Sequence, residues 1–179
     1  MHNRGTWSTP ACPRNCGHAK EYTPHILQCK KGDDTWEKLK KTLVIWGIKN
    51  RAEPTLIPAL LHDISLWYKG HLPLLPPYLP TQVESAFKKQ NNLGWLQALT
   101  GILAHEWAET QNINLQYLGD KVTGRRWVSS LIRKLWYIAW DMWNYRNHTL
   151  HASDDPTKAA VLTHANARIS NHFNHGTMD

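Results

Sequence analysis

Phenylalanine appears only twice and cysteine only three times in 179 residues. No apolar run approaches the roughly 20 residues that a membrane-spanning helix requires, so no membrane partner is expected. The opening MHNRGTW has no apolar core of the kind a secretory signal carries. Together these absences lead us to expect an intracellular protein, nuclear or cytoplasmic, whose cysteines are thiols or metal ligands rather than disulfides. Strand-like alternation with hairpin turns is missing as well, so the expected fold is all-α. Catalytic patterns are equally scarce. His105 and Glu106 begin a zinc-protease-like run, but that signature needs a second histidine where Glu109 stands. No nucleophile–base pair, phosphate-cradling loop or convincingly paired carboxylates occur, and Asp154 and Asp155 read as helix-start residues. The expectation is a protein that is not an enzyme.

What is present is tryptophan and positive charge. Ten tryptophans spread over most of the length. Spaced through amphipathic segments, most should be packing anchors, with a minority at the surface able to stack on bases. Lysine and arginine exceed aspartate and glutamate by 21 to 14, giving +7 with the eleven histidines neutral. That balance favours a polyanion such as nucleic acid as partner.

Along the chain, residues 1–32 hold the cysteines and 33–72 read as a helical pair. Residues 73–80 form a proline-rich linker and 81–175 a tryptophan-rich helical bundle, with 33–175 expected to share one core. The overall expectation is a small N-terminal zinc knuckle followed by a multi-helix orthogonal bundle. In GDDTWEKLKKTLVIWGIKN, Asp34 is placed to cap a helix with Glu37 three residues on, and Trp36, Leu39, Leu43 and Trp46 or Gly47 recur at helical spacing. In EPTLIPALLHDISLWYKG, Pro54 suits a first turn, Leu60, Leu61, Ile64 and Trp67 or Tyr68 share a face, and Gly70 is a stop. Pro73, Pro76, Pro77 and Pro80 forbid helix, and the leucines between them suggest a packed linker rather than a docking peptide. Leu96, Leu99, Leu103 and Trp107 then read as a further helix.

The clearest helix is TGRRWVSSLIRKLWYIAWDMWNYRNHTLH. Trp127, Leu131, Leu135, Ile138 and Met142 form one apolar strip, with Val128, Ile132, Trp136, Ala139 and Trp143 beside it. Opposite lie Arg125, Arg126, Ser129, Arg133, Lys134, Tyr137 and Asp141. A last amphipathic stretch opens at Asp155 and Pro156 and runs through Val161, Leu162, Ala165 and Ile169.

The cysteines of ACPRNCGHAKEYTPHILQCKK interleave with histidine. Three residues separate Cys12 from Cys16, eight separate Cys16 from His25, and three separate His25 from Cys29. Tetrahedral zinc bound by thiolates and imidazole is closed by three cysteines and one histidine. If TPHILQC begins a helix, with Thr23 as cap and Pro24 in the first turn, His25 and Cys29 sit one turn apart on one face. Gly17 allows the backbone to turn amides toward sulfur. His18 is the rival ligand, but its place two residues from Cys16 is cramped and would leave His25 unexplained. Only Glu21 lies inside the loop as an acid or base, and a full ligand set leaves no position for water, so the zinc reads as structural.

The run CPRNCGHAKEYTPHILQC resembles the Cys-Cys-His-Cys zinc-binding segment that follows the polymerase in reverse transcriptases of non-LTR retrotransposons. Glu21, Thr23, His25, Ile26, Leu27 and Cys29 fit its pattern. LIRKLWYIAWDMWNYRNHTLH looks like the tryptophan-rich helix near the carboxyl end of such proteins. The likeness covers about residues 12–29 and 124–151. The Tyr-x-Asp-Asp motif of the polymerase is absent, as is a recognisable RNase H carboxylate set. The resemblance therefore implies a carboxyl-terminal piece without the catalytic domains, belonging to a larger retroelement polyprotein or acting as a homo-oligomer, with its zinc segment engaging nucleic acid.

The residues themselves supply candidate phosphate contacts. Lys20, Lys30 and Lys31 flank the zinc ligands, Lys38, Lys40 and Lys41 follow on the next helix, and Arg125, Arg126, Arg133 and Lys134 form a second patch. Nothing predicts base-specific contacts. The leading expectation is a non-catalytic, zinc-stabilised module that binds RNA or DNA with low sequence specificity. The alternative is a protein-interaction scaffold braced by a purely structural zinc.

Overall fold

The computed structural model describes residues 12, 16–19, 23–75, 77–151 and 163–167, the side chains of 23 and 149–151 excepted. The chain is all-α, with a Cys-Cys-His-Cys knuckle at its N-terminal end, and no strand occurs among the described residues. Helix α1 (Thr23–Gln28) leads through a tight turn at Lys30–Gly32 into α2 (Asp33–Lys49). There follow α3 (Leu56–Tyr68), α4 (Thr81–Leu93), α5 (Trp95–Leu99), α6 (Glu106–Tyr117) and α7 (Gly124–His151). No helix among the described residues is long and apolar enough to cross a membrane.

Helix α7 is the spine, packing against α1, α2, α5 and α6. Its sequence explains this: Trp127, Leu131, Leu135, Ile138 and Met142 form one stripe, and all are buried. They meet Trp36, Leu39 and Leu43 of α2, Leu56, Leu60 and Ile64 of α3, Phe87 of α4 and Trp107 of α6 in one apolar cluster. Each large side chain buried there is worth about 1.5–3 kcal/mol. The second strip of α7 behaves differently. Trp136 and Trp143 are exposed and line a cavity beside α1 and α5.

Three local expectations change. Asp34 is not a cap: the Lys30–Gly32 turn feeds directly into α2, the Asp33 N–H donates to the carbonyl of Lys30, and no side chain caps the start. The helix expected through Leu96, Leu103 and Trp107 is broken, since α5 stops at Leu99 and α6 starts at Glu106. Buried Gln90 holds the break. Its Oε1 accepts from the Ala104 N–H at 3.0 Å, and its Nε2 donates to the carbonyls of Gly94 at 3.2 Å and Ile102 at 3.4 Å. In the proline-rich segment Leu75 and Leu79 pack on the core, whereas Leu74 faces solvent, as does Leu72 just before it, so the packed reading holds for two of the segment's three leucines.

Trp7, Lys20, Glu21, Pro76, Asp155, Pro156, Val161, Leu162 and Ile169 lie outside the described residues. Residues 163–167 are helical, with Ala165 exposed.

Candidate metal centre

Cysteine and histidine converge where α1 meets the start of α2. The backbone N–H of Cys12 donates to the carbonyl of His18 at 2.9 Å, closing the first knuckle around Gly17, whose φ is +85°. Helix α1 presents His25, and Cys29 follows its last turn. The sulfurs of Cys12, Cys16 and Cys29 and an imidazole nitrogen of His25 all lie within 4.8 Å of one another. Cys12, His25 and Cys29 are buried, and Cys16 is half-buried.

The spacing fits a single tetrahedral ion. Zn–S bonds of about 2.3 Å and Zn–N bonds of about 2.0–2.1 Å require S···S edges of ~3.8 Å and S···N edges of ~3.6 Å. Cys12 Sγ lies 3.9 Å from Cys29 Sγ, and Cys16 Sγ lies 3.4 Å from His25 Nε2. None of the three cysteines is in a disulfide, so no such bond competes for the sulfurs. Burial pushes the Cys16 thiol up, but the His18 backbone N–H and the thiols of Cys12 and Cys29 outweigh it and hold it below the ordinary range. The site therefore favours the thiolate that a metal needs. The four residues lie close enough to hold one metal ion, consistent with zinc.

His18 is not in the cluster. It is exposed and stacks on the His25 ring, with centroids 4.2 Å apart. Support comes instead from α3, where the Tyr68 hydroxyl lies 3.0 Å from the Cys29 carbonyl and 2.9 Å from Asp33 Oδ1. Gln28 Nε2 also donates to the Trp67 carbonyl at 2.6 Å.

The basic residues fall into separate groups. Lys30 and Lys31 are exposed on the turn that directly follows Cys29. On α2, Lys38 and Lys41 are exposed, while Lys40 is half-buried with its Nζ 2.6 Å from Glu37 Oε1 and so is partly neutralised. Lys38 and Lys134 are brought together across the α2–α7 contact. Burial pushes the Asp141 carboxyl up, and both lysines act against that rise. Arg125 and Arg126 stand exposed at the start of α7, about 12 Å along the helix from Lys134.

Sequence reasoning missed Lys69 and His71. They join Lys30, Lys40 and His18, with Asp33 and Glu37, around a cleft of about 540 Å³ beside the candidate metal ligands. No spacing signal could have found them, because the end of α3 reaches the knuckle only through the tertiary fold.

A second cavity, of about 390 Å³, runs along α7. Its floor is Trp136, Ala139, Trp140 and Trp143. Ile26 and Leu27 of α1 stand on one side, Leu96 and Leu99 of α5 on the other, and Arg133 lines it as well. No known protein family, curated protein or solved structure matches this chain.

Proposed function

We propose that this chain is a non-catalytic helical module, stabilised by a structural zinc, that binds RNA or DNA with little sequence preference. In this reading it corresponds to the carboxyl-terminal region of a non-LTR retrotransposon reverse transcriptase without its polymerase. The observation that carries the proposal is the junction at Cys29. A fully buried ligand is followed at once by Lys30 and Lys31 on an exposed turn. Metal binding would thus fix the backbone from which both lysines project, and phosphates are natural partners of cations gathered in this way. Lys38, Lys134 and Lys69 extend the positive surface on adjoining elements.

Two measurements test it. Purified protein should hold about one zinc per chain, lost in Cys29→Ser and His25→Ala; wild type without zinc removes the foundation. Labelled single- and double-stranded oligonucleotides titrated across a salt series should bind with an affinity that falls steeply with salt. No binding at low salt in the micromolar range sinks the nucleic-acid reading.

The apolar cavity on α7 favours a second reading, in which the module is a protein-interaction scaffold. That reading expects a dimer or heteromer whose formation is insensitive to salt.

A further inference from the structure

Trp136 is held in place and still presents itself to solvent. Its indole edge rests on Gly101, where an added Cβ would come within 2.6 Å of Trp136 Nε1. Gly101 sits at φ +96°, a conformation that side chains rarely adopt. Even so, Trp136 is 45% exposed. Trp143, two turns further along, is 37% exposed, with the Arg146 guanidinium 5.2 Å from its ring centre. Trp140 completes the floor, and its buried Nε1–H has no acceptor among the described residues.

The one charged side chain that lines this groove is a cation. Arg133 lines it, Arg146 lies over Trp143, and no aspartate or glutamate is among the lining residues. Arg133 also belongs to the outer face of α7 that carries Arg126 and Lys134, with Asp141 beside Lys134 as its one acidic residue, so the aromatic floor leads into a mostly cationic face. Aromatic faces beside a cationic track are how proteins hold unpaired strands without reading sequence.

We propose that this groove binds unpaired nucleobases of single-stranded RNA or DNA, stacked on Trp136, while Arg133 and its neighbours on α7 follow the sugar–phosphate backbone. The inference rests on the nucleic-acid reading above and narrows it to single strands, since paired and stacked bases offer no free face. It also links the groove to the metal centre. Ile26 and Leu27 form its wall directly after His25, so the turn that holds the ligand also sets the wall.

The test uses the full zinc-bound chain and fluorescence anisotropy at low salt. The probes are a labelled oligothymidylate, an abasic strand of the same length and a duplex, offered to wild type, Trp136→Leu and Trp136→Phe. Wild type should prefer oligothymidylate to the abasic strand. Trp136→Leu, which keeps apolar bulk but loses the large ring, should weaken oligothymidylate about tenfold and leave the abasic strand unchanged. Trp136→Phe should retain most of the affinity. Equal wild-type affinity for base-bearing and abasic strands overturns the groove proposal and leaves the electrostatic reading standing. The groove proposal falls equally if Trp136→Leu weakens all probes alike, or if sedimentation reveals a wild-type dimer that this substitution abolishes. Failure of wild type to bind any probe removes the nucleic-acid reading itself.

Discussion

The hydroxyl of Tyr68 lies 3.0 Å from the carbonyl oxygen of Cys29, tying the last turn of α3 to a residue of the candidate metal centre 39 residues earlier in the chain. The same hydroxyl lies 2.9 Å from Asp33 Oδ1, and the Tyr68 ring stacks on Trp36 with centroids 5.0 Å apart. Tyr68→Phe keeps the stack and removes the hydroxyl. It should cost about 1–2 kcal/mol in denaturant unfolding, and lower zinc affinity by roughly tenfold in a competition with a chromophoric chelator. An unchanged zinc affinity would show that α3 supports the fold without tuning the site.

Lys30 and Lys31 differ from the other candidate cations in standing on the turn that directly follows Cys29. If they meet phosphate, removing each should flatten the plot of log affinity against log salt by about 0.7 on a single strand. Lys30→Ala/Lys31→Ala should therefore bind more weakly at low salt and approach wild type at high salt, with zinc content unchanged. Lys40→Ala should change the slope less, because Glu37 already neutralises part of its charge. A parallel slope in the double variant would place the phosphates elsewhere.

Asp63 is fully buried on α3, with Oδ1 2.9 Å from His62 Nδ1 and Oδ2 without a hydrogen-bond partner. Burial pushes its carboxyl above the usual range, and His62 offsets only part of that rise. The stability it contributes is thus fully present below the unfolded value of about 3.9 and is lost as pH rises through the folded value. Asp63→Asn removes the titration. The variant should gain on wild type progressively above about pH 4 and level off once the folded carboxyl has ionised. The stability difference between the two proteins, measured by urea unfolding at fixed zinc across pH, checks this; a pH-independent difference would mean that Asp63 does not titrate on folding.

Much of this arrangement was legible from residue spacing, and the gaps have physical causes. Trp127, Leu131, Leu135, Ile138 and Met142 repeat at helical spacing, so their burial followed from the pattern. The cysteines and His25 were legible because few other jobs explain three thiols and an imidazole so close in sequence. Trp136 and Trp143 were not separable from core tryptophans, since periodicity gives a face but not what covers it. The break after Leu99 was missed because it depends on Gln90, which stands 12 residues before Ile102 and 14 before Ala104 and reaches their backbone groups only through the fold. Buried glutamines carry no periodic signature at all.

Gln111 shows how much such a residue can hold. It is fully buried on α6, where its Oε1 accepts from the Glu53 N–H at 2.9 Å and its Nε2 donates to the Arg51 carbonyl at 2.8 Å. Those partners lie in the corner between α2 and α3, where Arg51 adopts φ +50°, unusual for a residue with a side chain. Trp127 of α7 secures the same corner by donating from Nε1 to the Asn50 carbonyl at 2.9 Å. Gln111→Ala leaves a cavity and strips the Glu53 N–H of its acceptor, whereas the Arg51 carbonyl keeps a second donor, Asn114 Nδ2, at 2.9 Å. The expected cost is about 2–3 kcal/mol. In a chain of this size that lowers the melting temperature by roughly 5–10 °C. Asn114→Ala should cost under about 1 kcal/mol, because Gln111 still serves that carbonyl and the site is open to water. Near-equal costs for the two variants would show that the corner depends on the Arg51 carbonyl alone. A much larger cost for Gln111→Ala places the weight on the Glu53 amide, which no other described group satisfies.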